Sequence, residues 1–162
     1  MPTKGDHAAR VNAYDQVSAW AVDDSSLVVD MPILASAWRN AQLQSSSTSE
    51  VAVPLDESGG NVLKFQTTAA SQTVVITYSA ACATNAQRGT EVRIRVAVDD
   101  APPAAYDDFA LCSGLASGAN FLHGGFRQTI RLVGPGEHVV RIYAKASAAG
   151  SWNLRESWLV VR

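Results

Sequence analysis

The chain has 162 residues, of which 47% are hydrophobic and 17% charged, and its net charge at pH 7 is -2. This length fits one domain with a core of its own, and the small net charge argues against a surface made for nucleic acid or anionic lipid. No apolar signal region follows Met1 and no run of about 18 apolar residues occurs, so neither a secretory signal nor a membrane-spanning helix is predicted.

The first 50 residues are predicted to form an N-terminal arm. Residues 14–30 have the apolar positions of a strand, interrupted by the polar residues 23–26. Residues 33–44 fit either a short helix or a strand, and the apolar positions at helical spacing are Leu34, Ala37, Trp38 and Ala41. Serine and threonine fill residues 45–49, which predicts a flexible connector.

Two stretches near the ends of the chain resemble each other. Ala19–Asp30 and Ser151–Arg162 share tryptophan, serine, leucine and two valines at the same offsets, and similarity at a fixed offset indicates a repeated unit. The two stretches could be equivalent strands of one sandwich, or the first could be the tail of a preceding module. It could also be a strand that docks on a neighbouring subunit. Convergence is the alternative, because strands reuse few residue types.

Residues 51–162 form a succession of short predicted strands and turns. The clearest strand is Glu91–Val98, in which every second residue is Val or Ile, as expected for one apolar face. Further strands are predicted at residues 62–68, 73–81, 127–133, 137–146 and 152–161. Because no helix separates them, they predict an all-β fold: an antiparallel, jelly-roll-like β-sandwich domain, with an immunoglobulin-like sandwich as the second choice.

Four short stretches carry a resemblance to known proteins. They are Tyr78–Cys82, Val96–Asp100, Leu111–Ser113 and Gly136–Arg141. With these stretches in this order, about residues 62–162 resemble uncharacterised bacterial and phage proteins with a jelly-roll-like β-sandwich. The resemblance implies a fold and assigns no catalytic residues.

The two cysteines, Cys82 and Cys112, lie 30 residues apart and outside any CxxC pair. One interpretation is a disulfide that pins a loop and stabilises the fold by roughly 3–4 kcal/mol. The other is a pair of buried thiols that act as small apolar side chains. No surrounding pattern supports a catalytic cysteine or a zinc site. His123 and His138 also lack a recognisable acid or nucleophile partner in the sequence.

Four aspartates bracket a proline-containing segment after the Glu91–Val98 strand: Asp99, Asp100, Asp107 and Asp108. Calcium prefers carboxylate oxygens, so these are candidate calcium ligands, although the spacing of an EF-hand is missing. A glycosidase acid pair is a weaker alternative, since nothing in the sequence fixes the separation of the carboxylates. The simplest interpretation is that they are turn residues. No other cofactor is predicted.

Four aromatic residues lie in or beside the loop of residues 99–126: Tyr106, Phe109, Phe121 and Phe126. Loops on a rigid sandwich often carry binding sites, and aromatic rings can stack on sugars or anchor a protein partner. These residues are therefore the predicted binding site. The alternative is that they plug the open end of the sandwich.

Four arginines fall on predicted strands: Arg93, Arg95, Arg131 and Arg141. If those strands are neighbours, the arginines form a stripe that could meet acidic groups of another subunit or a phosphate-bearing partner. The alternative is a solvated face on which the long side chains cover apolar surface.

No nucleophile elbow, phosphate-binding loop, dinucleotide fingerprint or zinc-protease motif occurs. We therefore expect a non-enzymatic structural or interaction protein, a self-assembling β-sandwich subunit of a phage virion (a decoration or tail component) or of a surface appendage. Its partners would be copies of itself or other assembly subunits, with no nucleic acid and no membrane, at the virion or an extracellular surface. The alternative is a carbohydrate-binding module or lectin that binds a glycan with the 99–126 loop.

Overall fold

The computed structural model describes residues 31–85, 89–101, 108–114 and 121–162. All the strands below belong to one compact unit, Ile33–Val161. They are β1 (Ala35–Arg39), β2 (Leu43–Ser45), β3 (Val51–Ala52), β4 (Leu63–Thr67), β5 (Ser71–Thr84), β6 (Glu91–Val98), β7 (Asp108–Ser113), β8 (Leu122–Val133), β9 (Gly136–Ala146) and β10 (Trp152–Val161). Within these described ranges, no helix is long and apolar enough to cross a membrane.

The strands form two antiparallel sheets of five strands each. Sheet A has the order β1-β10-β5-β8, with β2 also paired to β10. Sheet B has the order β3-β9-β6-β7, with β4 also paired to β9. The inward side chains of both sheets pack into one buried apolar cluster. The predicted all-β, antiparallel, jelly-roll-like β-sandwich is therefore confirmed.

The strand β6 shows how the alternating pattern builds this core. Its apolar positions face inward, and Val92 and Ile94 are fully buried. The alternation predicts a wet opposite face, but Arg95 on that face is only 7% exposed. Two oxygens of Glu50 accept hydrogen bonds of 2.7 Å from its guanidinium group, which also lies 4.5 Å from the centre of the Tyr143 ring. Partners from elsewhere in the chain therefore cover part of the outer face.

The sandwich begins before residue 51, the predicted start of the domain. The strand β1 pairs with β10 from Ala35 opposite Val161 to Arg39 opposite Ser157, and β2 pairs with the first residues of β10. The segment 33–44, for which helix and strand both remained open, thus contributes strands. The reason is tertiary. The strands β1 and β2 pair with the edge of β10 that β5 does not occupy, and their apolar side chains pack against the core. Residues 1–30 lie outside the described residues.

The strand β10 is central to sheet A, with β1 and β2 along one edge and β5 along the other. Its pairing with β5 shifts between Arg155 and Trp158, and Glu156 in this β-bulge has a left-handed φ of 51°. A bulge adds one residue to one strand and changes which side chains face each side. The bulge therefore sets the direction in which Trp158 points.

Candidate functional site

A disulfide bond joins Cys82 and Cys112. Cys82 lies on β5 of sheet A and Cys112 on β7 of sheet B, and both are buried. The bond therefore ties the two sheets together across the core. Of the two interpretations of these cysteines, the structure has the disulfide, and it links strands of opposite sheets rather than pinning one loop.

The acidic residues after β6 bind protein groups rather than one another. Asp99 and Asp100 form a turn in which both have positive φ, 51° and 56°. Asp100 pairs with Arg141, and Asp108 pairs with both Arg93 and Lys145, at 3.2 and 3.0 Å. Asp107 lies outside the described residues. In the ranges that the structure describes, no group of three or more acidic, histidine or cysteine side chains is placed to hold a metal ion.

Asp99 belongs to a hydrogen-bond network that the sequence did not reveal. Its Oδ2 lies 2.7 Å from Nδ1 of His138, and Nε2 of His138 lies 2.9 Å from Oγ1 of Thr67. A carboxylate, an imidazole and a hydroxyl in this order can activate the hydroxyl as a nucleophile. Here, however, the Thr67 hydroxyl is buried and donates to the carbonyl oxygen of Gly134 at 3.2 Å. This series of hydrogen bonds therefore holds the turn after β6 against the strands β4 and β9.

The hydrogen bonds of Asp99 make the free energy of unfolding depend on pH. Burial disfavours the charged form of Asp99, but hydrogen bonds from His138 and from the Val139 amide outweigh it and hold the pKa of this carboxyl below its ordinary value. A lowered pKa in the folded state stabilises the fold above the ordinary carboxyl value of about 3.9 and loses that contribution as pH falls through the folded value. We expect Asp99→Asn to lower the free energy of unfolding at pH 7 by roughly 1 kcal/mol, a modest value because the carboxylate is about half exposed.

The measurement is chemical denaturation between pH 2.5 and 7. The difference between the wild type and Asp99→Asn should be full at pH 7 and shrink as the pH falls below about 4. The control is Asp100→Asn in the same turn, which leaves the bonds to His138 and Val139 in place. A constant difference across the whole pH range would contradict this role of Asp99.

The aromatic residues predicted to form a binding loop do not form one exposed platform. The rings of Phe109 and Phe126 stack on each other with their centres 5.3 Å apart, and Phe126 also contacts the buried Tyr78 at 6.0 Å. Phe121 lies under the guanidinium group of Arg155, 3.9 Å from the ring centre. Tyr106 lies outside the described residues. The three described members are thus divided between the packed edge of β7 and β8 and a cation–π contact.

The arginine stripe also differs from the prediction. Arg93, Arg95 and Arg141 lie on the outer face of sheet B, whereas Arg131 lies on sheet A, where it donates to Ser71 at 2.8 Å. Each of the three on sheet B has a carboxylate partner: Glu91 and Asp108, Glu50, and Asp100 respectively. The hydrogen bond from Arg95 holds the pKa of Glu50 below its ordinary value, against a smaller effect of burial. This face is therefore largely neutralised within the chain.

The most prominent exposed feature is a pair of tryptophans. Trp38 on β1 and Trp158 on β10 lie directly opposite each other in the strand register. They are 55% and 56% exposed, and both project from the outer face of sheet A. Directly opposite residues of an antiparallel pair have Cβ atoms about 5 Å apart, so the two side chains rise from this face next to each other. Sequence reasoning missed this pair because Trp38 also fitted a helix.

Beside the tryptophans, the same face carries small residues and is therefore lower than the tryptophan side chains. Trp158 pairs with Ser79 on β5, and Ser79 pairs with Gly125 on β8. Ser79 and Gly125 are exposed, and an added Cβ at Gly125 would lie only 3.1 Å from the Tyr78 carbonyl oxygen and 3.2 Å from the Ser79 Cβ. We call Trp38, Trp158, Ser79 and Gly125 the tryptophan face. Its raised half and its low half adjoin each other and carry no charge.

Charged side chains surround the tryptophan face. Arg127 is exposed on β8, two residues beyond Gly125. On the other side, Arg155 and His123 both lie near Glu156, at 3.5 and 3.6 Å. An uncharged centre with a rim of both signs of charge is the usual layout of a protein interface.

No protein-family model and no curated protein matches the sequence. Among solved structures, the chain is similar to a chain of the infectious bursal disease virus Gx strain, with 16% identity, a TM-score of 0.44 and coverage of 82% of this chain and 32% of that chain. The Eiger TNF from S. frugiperda has 8% identity, a TM-score of 0.48 and coverages of 81% and 92%.

A carbohydrate-binding module from the Cellvibrio mixtus lichenase 5A, in complex with cellotriose, has 20% identity, a TM-score of 0.34 and coverages of 81% and 98%. The chain spans about a third of the length of the viral chain. With TM-scores below 0.5, these likenesses carry no argument about this chain. The two antiparallel sheets make the chain a jelly-roll-like β-sandwich, and its sheet A carries the tryptophan face.

Proposed function

We propose that the chain is a non-enzymatic structural subunit that assembles with copies of itself through the tryptophan face, as part of a virion or a surface appendage. The observation that carries the proposal is the pair of opposed tryptophans, Trp38 and Trp158, each more than half exposed. Tryptophan is enriched among the residues that dominate binding energy in interfaces. Covering the exposed part of each ring would contribute roughly 1–2 kcal/mol.

A second copy of the chain fits this face because the face is self-complementary. In a twofold contact the same patch meets itself, so that each raised part must find a low part on the partner. The tryptophans of one copy would lie over Ser79 and Gly125 of the other, which are next to the tryptophans in the strand register. The rim offers both signs of charge, Arg127 and Arg155 as cations and Glu156 as the anion, for pairing around the contact.

Two further observations support the proposal. The outer face of sheet B is already neutralised by pairs within the chain, so it offers less to a partner than sheet A does. The disulfide between Cys82 and Cys112 supports a location at a virion or extracellular surface, because such bonds persist in oxidising environments.

The test is the native mass of the purified chain beside the double variant Trp38→Ser with Trp158→Ser. We expect the wild type to be oligomeric and the double variant to be a monomer with a nearly unchanged melting temperature, because both side chains point to solvent in the single chain. The control is Leu122→Ser, which removes another exposed apolar side chain, 42% exposed at the start of β8. A monomeric wild type at high concentration, or an unchanged mass of the double variant, would overturn the proposal.

Carbohydrate binding is the second candidate function, and the same tryptophans favour it. Aromatic rings with one free face stack on sugar rings, and Ser79, Thr77 and Arg127 could hydrogen-bond to sugar hydroxyls beside them. This moves the predicted glycan site from the 99–126 loop, whose described phenylalanines are engaged elsewhere, to sheet A. Titration of the monomer with oligosaccharides, followed by tryptophan fluorescence, distinguishes the two functions. A saturable change that the double variant loses, in a wild type that stays monomeric, would favour the glycan.

A further inference from the structure

The edges of the two sheets differ in length. Three of the four edges are formed by short strands, of which the longest, β7, has six residues and a shift in its register with β6. The fourth edge is β8, which has 12 residues, about twice the usual length of a strand. Among the described strands β8 pairs with β5 alone, without a register shift, and its sequence has no proline. Proteins commonly protect an edge with a short strand, a bulge or a proline, so this edge lacks all three protections.

The inward side chains of β8 are incompletely covered. Phe126 and Ile130 on β8 are half-buried. Tyr78 and Val74, directly opposite them on β5, are fully buried. Beside Phe126, the Phe109 ring on β7 is 37% exposed, with the two ring centres 5.3 Å apart. Apolar side chains of one more strand beside β8 would therefore cover apolar surface that now faces water.

The outward side of β8 carries positive charge. Arg127 and Arg131 are exposed there, four residues apart, and Arg131 donates a hydrogen bond to Ser71. Neither arginine has a carboxylate partner in the part of the chain that the structure describes. The strands of sheet A carry four arginines and one carboxylate, Glu156, although the net charge of the whole chain is -2. The edge at β8 is therefore complementary to a negatively charged partner.

We propose that the free edge of β8 binds an extended acidic segment of another protein, which adds to sheet A as a further strand. Its backbone would form hydrogen bonds with the N–H and C=O groups of β8 that point away from β5. Because side chains alternate along a strand, its apolar residues would cover Phe109 and Phe126. Its carboxylates would lie beside Arg127 and Arg131, where opposite charges on neighbouring strands stabilise the pairing.

A second copy of β8 does not fit this edge. In a twofold pairing of two copies, Arg127 and Arg131 of one copy would lie beside the same two residues of the other. Like charges next to each other on paired strands are destabilising, and charged side chains are a common protection of an edge against its own copies. The two arginines therefore disfavour a second copy and favour an acidic partner.

This inference goes beyond the proposed self-assembly, because the two contacts use different sides of sheet A. The tryptophans project from the outer face, whereas the added strand would lie in the plane of the sheet. The strands β5 and β8 separate it from β10, which carries Trp158. The added strand leaves the tryptophan pair in place, so each contact can be tested without the other.

The first experiment titrates the protein with a synthetic peptide of about ten residues in which valine and glutamate alternate. The protein is the double variant Trp38→Ser with Trp158→Ser, so that binding at the edge is measured without self-association through the tryptophan face. We expect saturable binding. A control peptide with the same composition, but with all its glutamates in one block, should bind at least about tenfold more weakly. Failure of the alternating peptide to bind, or equal binding of both peptides, would overturn the inference.

Hydrogen exchange of the β8 amides then tests whether the bound peptide forms a strand. Every second N–H of an edge strand points away from the sheet, and a peptide that adds as a strand protects these groups. We expect exchange to slow by about tenfold or more at alternate residues between Phe126 and Leu132 when the peptide is saturating. Binding without this protection would mean that charge alone holds the peptide, and would overturn strand addition.

The third measurement repeats the titration with Arg127→Ser and Arg131→Ser added. We expect the affinity to fall about tenfold. The matched control adds Lys64→Ser and Arg141→Ser instead, which removes two positive charges from sheet B and should leave the affinity unchanged. Equal losses would overturn the assignment to β8. An oligomeric wild type whose edge binds no peptide refutes this inference alone, whereas a monomeric wild type that binds the peptide refutes self-assembly alone.

Discussion

Replacing Cys82 and Cys112 by alanine is expected to lower the free energy of unfolding by roughly 3–4 kcal/mol. The disulfide joins β5 of sheet A to β7 of sheet B across 30 residues of sequence. In the unfolded chain the bond restricts the separation of these two points, and its removal raises the conformational entropy of that state. The measurement is chemical denaturation of the double variant beside the oxidised wild type.

The reduced wild type is the matched control, because it lacks the bond and keeps both sulfur atoms. It separates the effect of the cross-link from the small cavity that alanine leaves at Cys82, which is fully buried. We expect the reduced wild type to account for most of the loss in stability. If the reduced and oxidised proteins unfold at the same denaturant concentration, the bond contributes no stability, and its role would be confined to holding the two sheets in register.

The sandwich could be predicted from the sequence because its signals are local. In β6, alternation alone identifies both the strand and its buried side, including Val92 and Ile94. The same alternation wrongly predicts a wet outer side at Arg95. Its hydrogen-bond partner, Glu50, is 45 residues away in the sequence, and no local pattern shows that the two side chains meet.

The tryptophan face could not be predicted for the same physical reason. Trp38 and Trp158 become neighbours only through the register of β1 with β10, and Ser79 joins them only through the pairing of β10 with β5. The bulge at Glu156 decides which side Trp158 faces. Sequence reasoning instead selected aromatic residues that are close together along the chain, of which Phe109 and Phe126 use their ring faces on each other.

Trp152→Ala is expected to lower the free energy of unfolding by roughly 3–5 kcal/mol, the usual range for a fully buried tryptophan. Its side chain is completely inaccessible to solvent, and its indole Nε1 donates a hydrogen bond to the Ser47 carbonyl oxygen at 3.0 Å. The variant loses buried apolar area, leaves a cavity in the core and removes the donor to that carbonyl group. Chemical denaturation at a concentration where the chain is monomeric measures the loss.

Trp158→Ala, six residues further along the same strand, is the matched control. Its side chain is 56% exposed, so the free energy of unfolding of the monomer should change by only about 0.5 kcal/mol, while the native mass at higher concentration falls. Equal losses of stability at the two positions would contradict the inward and outward sides assigned to β10. The tryptophan face depends on that assignment, so such a result would remove the basis of the proposed self-assembly.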